Sequence, residues 1–87
     1  MMETTNNLHD ASVGAVLRQA RIDQGLTQKD LAAITKIQAS MIDCIENDQF
    51  DEFPAEVFAR GFVKNVAREL HLDADAVVEH YRTQRGM

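Results

Sequence analysis

A chain of 87 residues, 45% apolar and 26% charged, is one small globular domain, close to the lower limit for a self-sufficient core. Nine basic residues against fourteen acidic ones leave a net charge of −5. That balance disfavours a polyanion as the main partner unless the bases gather in one patch. No apolar run approaches a membrane span, and the opening MMETTNNLHD lacks the basic and apolar regions of a secretory leader. The single cysteine, Cys44, excludes an internal disulfide and fits a reducing cytoplasm.

Residues 1–11 are polar and aperiodic and read as a flexible tail. Ser12 is placed to cap a helix over about 13–24, with Val13, Val16, Leu17 and Ala20 as its apolar stripe. Gly25 is its stop, because glycine takes left-handed dihedrals cheaply. Thr27 caps the next helix, and Asp30 lies where the positive helix end favours an anion. Leu31, Ala32 and Ile34 are expected to face inward. After the turn at Thr35–Lys36, a third helix over about 38–47 places Ile42 and Ile45 on the core side. DQFDEFP then reads as a loop whose Phe50 and Phe53 fold back on the core.

Pro54 suits the first turn of a fourth helix over about 55–70. Phe58, Phe62, Val66 and Leu70, with Val63 and Ala67, are its expected inner face. Gly61, costly inside a helix, is expected to permit close packing against a neighbouring helix. Asp73 caps a last helix over about 74–84, with Val77, Val78 and Tyr81 inward. No run reads as a strand. The fold class is therefore all-α, a compact five-helix domain over residues 12–84, with 85–87 as a short C-terminal end.

The chemistry-bearing residues are sparse. His9, His71 and His80 lack metal-ligand spacing, Ser12 and Ser40 have no His/Asp arrangement beside them, and no glycine-rich phosphate loop is present. The chain reads as a non-enzyme without cofactor or metal. Arg60, Lys64 and Arg68 share one side of the fourth helix. They read either as a basic stripe for an acidic partner or anionic lipid, or as a solvated face with Arg60 paired to Glu56 and to Asp51 or Glu52. The segment Glu46 to Glu56 holds five acids and no base.

LTQKDLAAITKIQASMIDCIEND resembles a helix-turn-helix of the phage-repressor (Xre-like) type. The matching positions are Leu26, Thr27, Gln28, Leu31, Ala32, Ile37, Ile42, Ile45 and Glu46. FDEFPAEVFARGFVKNVARELHLDADAVVEHY, together with a turn that carries Lys36 in place of the usual glycine, is similar to the corresponding segment of RodZ-type cytoskeletal proteins. That resemblance spans roughly residues 12–82. It implies a cytoplasmic domain that binds the actin-like filament protein MreB. In such proteins a basic juxtamembrane segment and a membrane span follow, so a tether to the inner membrane here would need residues beyond Met87.

Two functions follow from the third helix. As a DNA regulator, the chain would use Gln28, Gln38, Ala39 and Ser40 against bases and phosphates. Asp43 would be repelled by phosphate, Lys36 is the only nearby cation, and no separate dimer helix is visible. As a protein-binding adaptor, it would use Lys36, Met41 and the loop bearing Phe50 and Phe53. Met41 reads equally as an apolar contact or as the end of the core seam with Ile37 and Ile45.

Overall fold

The computed structural model describes residues 11–87, so the tail expected over 1–11 lies outside the described residues except for Ala11. Five α-helices run α1 (Val13–Asp23), α2 (Gln28–Thr35), α3 (Ala39–Glu46), α4 (Glu56–Glu69) and α5 (Ala74–Arg85), with a 3₁₀ turn at Phe50–Glu52. No strand occurs among the described residues. α4 packs along α5, α2 along α3, α1 across α3, and α2 against α4, so α2 and the 3₁₀ turn link the helix-turn-helix to the C-terminal pair.

The helix ends are written locally. The Ser12 hydroxyl accepts the Ala15 N–H at 3.1 Å, and the Asp73 carboxylate accepts that of Ala76 at 3.1 Å. Thr27 and Asp30 form a reciprocal capping box, with both bonds at 2.9 Å. Gly25, at φ 72°, ends α1: its N–H reaches the Ile22 carbonyl while that of Leu26 reaches Arg21. Pro54 stands one residue before the cap of α4 rather than in its first turn.

One capping arrangement is not local. The Val13 N–H donates to Gln84 Oε1 at 2.7 Å and the Gly14 N–H to Asp48 Oδ1 at 2.9 Å. Gln84 Nε2 also donates to Asp48 at 2.9 Å, and His80 Nε2 lies 2.7 Å from the Ala11 carbonyl. The start of α1 is thus satisfied by the ends of α3 and α5. Asp48 takes a left-handed φ of 59° to reach it.

The core is Val13, Leu17, Leu31, Ile37, Ile42, Ile45, Phe50, Phe53, Ala59, Val63, Val66, Ala67, Leu70, Val77 and Tyr81. The loop aromatics fold inward as expected: Phe50 meets Tyr81 edge-on at 5.0 Å, and Phe53 meets Phe62 at 5.6 Å. Three expectations fail. Phe58 is 51% exposed and Phe62 only partly buried, because the small residues Ala59 and Ala67 take the inner face of α4. Ile34 is 45% exposed, since Leu31 and the buried Thr35 form the inner edge of α2. Gly61 faces open space and packs against nothing.

The close approach lies instead at Gly14. A Cβ there would stand 2.5 Å from the Glu46 carbonyl oxygen and 2.6 Å from that of Ile45, both backbone atoms that cannot swing away. Gly14→Ala should therefore cost about 2–3 kcal/mol despite the better helix propensity of alanine. Thermal unfolding should show this as a fall of about 10 °C or more.

The capping box generates a pH dependence. The Thr27 backbone N–H, and then the Thr27 hydroxyl, hold the Asp30 carboxyl below its ordinary value of 3.8. A lowered folded-state pKa stabilises the fold above the ordinary value, and the contribution is lost as pH falls through the folded value. The stability gap between wild type and Asp30→Ala should be complete at neutral pH and close below pH 3.8 in melts taken across acid pH.

Candidate functional site

The C-terminal end of α3 is built around an ion pair. Arg21 of α1 donates from Nε to Glu46 Oε2 at 2.7 Å and from Nη2 to Oε1 at 2.9 Å, while Nη1 donates to the Leu26 carbonyl at 2.9 Å. The side chains are 11% and 2% exposed. Glu46, first through its hydrogen bonds, raises the Arg21 pKa further above its ordinary value, so the guanidinium is permanently charged. Gln28 Nε2 donates to Glu46 Oε1 and Asp43 Oδ1, both at 3.1 Å.

This network changes the reading of the third helix. Of its two acids, Glu46 is an internal structural group, and only Asp43 presents a carboxylate to solvent. The amide N–H₂ of Gln28, the group a phosphate would need, is held by those two carboxylates. Gln38, Ala39 and Ser40 are exposed where a recognition helix would meet bases. Gln38 caps α3 without a side-chain bond. No base follows Lys36 in this element.

The turn between α2 and α3 carries strain. Lys36 is exposed and left-handed at φ 65°, a conformation that costs a side-chain-bearing residue about 1–2 kcal/mol. Thr35 holds the turn: its hydroxyl donates to the Leu31 carbonyl at 2.8 Å and accepts the Ile37 N–H at 3.2 Å. Asn65 of α4 donates to the Thr35 carbonyl at 3.3 Å. Phe58, Phe62 and Asn65 share one side of α4 by helical spacing. The side of α4 bearing the two phenylalanines therefore meets the end of α2 at Asn65, two turns beyond Phe58.

Met41 lies one turn into α3, half-buried, and packs at the rim of the core, as do Cys44 and Phe62. Burial, then Glu52 and Asp43, push the Cys44 thiol up, so it stays a neutral packing group at physiological pH. The candidate surface is thus Lys36, Met41, Phe58 and Phe62.

Phe50 and Phe53 cannot supply the contact expected of them, being 3% and 7% exposed. The Arg85 guanidinium stands 5.8 Å from the Phe50 ring and 6.0 Å from that of Tyr81, and pairs with Asp51 at 2.9 Å. Asp51 therefore answers Arg85, not Arg60, and Glu56 turns toward Tyr81 rather than Arg60. Arg60, half-buried, and Lys64 and Arg68, both exposed, make no ion pair among the described residues. No group of three or more His, Cys, Asp or Glu among the described residues is placed to hold a metal ion. No described helix is long and apolar enough to cross a membrane.

The chain belongs to the helix-turn-helix domain family, whose pattern matches residues 16–77. It is 37% identical over 75 residues to the cytoskeleton protein RodZ of Streptococcus pneumoniae, covering 86% of this chain and 27% of that protein. It is 36% identical over 53 residues to the uncharacterized membrane protein YmfM of Bacillus subtilis, covering 61% of this chain and 18% of that one. The chain thus spans about a quarter or less of the length of these relatives. No solved structure matches.

The ion pair yields a stability test. Glu46→Ala leaves a buried guanidinium without its partner and should cost about 3–5 kcal/mol in urea unfolding. Replacing both members with apolar residues, Arg21→Met with Glu46→Leu, should recover most of that loss.

Proposed function

We propose that this helix-turn-helix domain is a non-enzymatic adaptor of the RodZ type. It docks an actin-like filament protein such as MreB, at the cytoplasmic face of the membrane, through Lys36, Met41, Phe58 and Phe62. The observation that carries the reading is the 51% exposure of Phe58 beside a half-buried Phe62, on the side of α4 that Asn65 ties to the end of α2. A large apolar ring left in water offers its burial to a partner, and aromatic anchors supply most interface energy.

Two further features support it. The strained Lys36 keeps a side chain where glycine would be easier, as functional positions do. The Gln28 amide is spent on carboxylates, which weakens the DNA alternative through Gln28, Gln38, Ala39 and Ser40. The name of the streptococcal relative points the same way.

Co-sedimentation with the purified filament is the test. Phe58→Asp should lower affinity about thirtyfold or more, the loss of one hot-spot anchor. The exposed site predicts an unchanged melting temperature. Undiminished binding would place the interface elsewhere. Duplex DNA should bind only weakly, with a Kd near ~10⁻⁴ M at physiological salt. A selected duplex bound at nanomolar strength and lost on Ser40→Ala or Gln38→Ala would establish DNA recognition instead.

A further inference from the structure

The outer face of α4 points to a second contact, on a different side from the phenylalanine edge. The buried residues Ala59, Val63, Val66, Ala67 and Leu70 define the inner face. Away from them, by helical spacing, lie Val57, Gly61, Lys64 and Arg68, all exposed, with the half-buried Arg60 nearer the inner face. Arg60, Lys64 and Arg68 are three of the nine bases in a chain of net charge −5, and none is neutralised by an acid among the described residues. The two acids of α4 turn away. Glu56 faces Tyr81, and Glu69 shares the side of Asn65 that adjoins α2.

The form of this face selects its partner. Two grooves, one between α1 and α5 and the other among α1, α2 and α3, take no residue from α4. At Gly61, in the middle of the stripe, an added Cβ meets no atom within 4 Å. Val57, 55% exposed, is the only large apolar residue in line with the cations. The charges of this face end flexible side chains. A protein epitope needs shape complementarity and a desolvated centre, whereas a fluid anionic surface needs only unpaired cations brought to one plane.

We propose that the Val57–Gly61–Lys64–Arg68 face, with Arg60, rests on an anionic lipid surface. The contact is electrostatic and shallow. The phenylalanine edge stays free at its side, so a filament and a membrane can be engaged together. Each cation near such a surface contributes about fivefold to the partition, and the three together contribute about a hundredfold.

The test is flotation of the full chain with phosphatidylcholine vesicles, with and without about 30% phosphatidylglycerol, at low salt and at about 0.5 M salt. The expected result is binding to the anionic vesicles alone, abolished by high salt. Lys64→Glu with Arg68→Glu should remove it while helicity and melting temperature hold. Gly61→Lys adds a fourth cation to open space and should strengthen binding about fivefold. Phe58→Asp should leave it unchanged, which separates this contact from filament docking.

No preference for the anionic vesicles, or binding that survives the double reversal, overturns the proposal. So does weaker binding by Gly61→Lys, which would mean that something packs closely on the glycine. Filament binding lost in the double reversal, with no vesicle binding by wild type, assigns the stripe to an acidic protein surface instead.

Discussion

The bidentate pair between Arg21 and Glu46 is the constraint on which the helix-turn-helix depends. Two charges nearly removed from water are tolerable only when they are well hydrogen-bonded, and here Glu46 takes two Arg21 bonds and one from Gln28, while Arg21 also satisfies the Leu26 carbonyl. The end of α1, the loop before α2, the first turn of α2 and the end of α3 therefore meet at one point. Gly14 lets the α1 backbone sit against the last carbonyls of α3, which sets the distance at which the pair can form. Packing and charge depend on each other at this junction.

The same junction bears on the choice between nucleic acid and protein as the partner. A helix-turn-helix scaffold is indifferent to its ligand, and the side chains at its exposed end decide. Here the scaffold has absorbed Gln28 and Glu46 into its own hydrogen bonding, and Asp43 is left facing outward. Phe58 and Phe62 lie elsewhere, on the side of α4 that Asn65 ties to the end of α2.

Much of the fold was legible because it is written over short distances. Ser12, Gly25, Thr27, Asp30 and Asp73 act on residues within three positions, and each was placed from the sequence. The inward turn of Phe50 and Phe53 followed from apolarity alone, and that burial is what disqualifies them as a contact surface. On α4 Val63, Val66, Ala67 and Leu70 were rightly placed inward, but a four-residue apolar spacing favours the largest side chains, so Phe58 and Phe62 were expected where the small Ala59 packs. Phe58 moved outward as a result, and the candidate site moved with it. The burial of Glu46 was not legible because its partner Arg21 lies 25 residues away. Nothing local marks Gly14 as a contact glycine.

The remote capping of α1 has a consequence for how the domain opens. Its first two amide groups are satisfied only when Asp48 and Gln84, 34 and 71 positions further on, are in place. Fraying of the last helix therefore frees the Val13 amide, while the Gly14 amide keeps its bond to Asp48 in the loop after α3. Amide exchange at Val13 then reports on the end of α5, and exchange at Gly14 on the loop after α3.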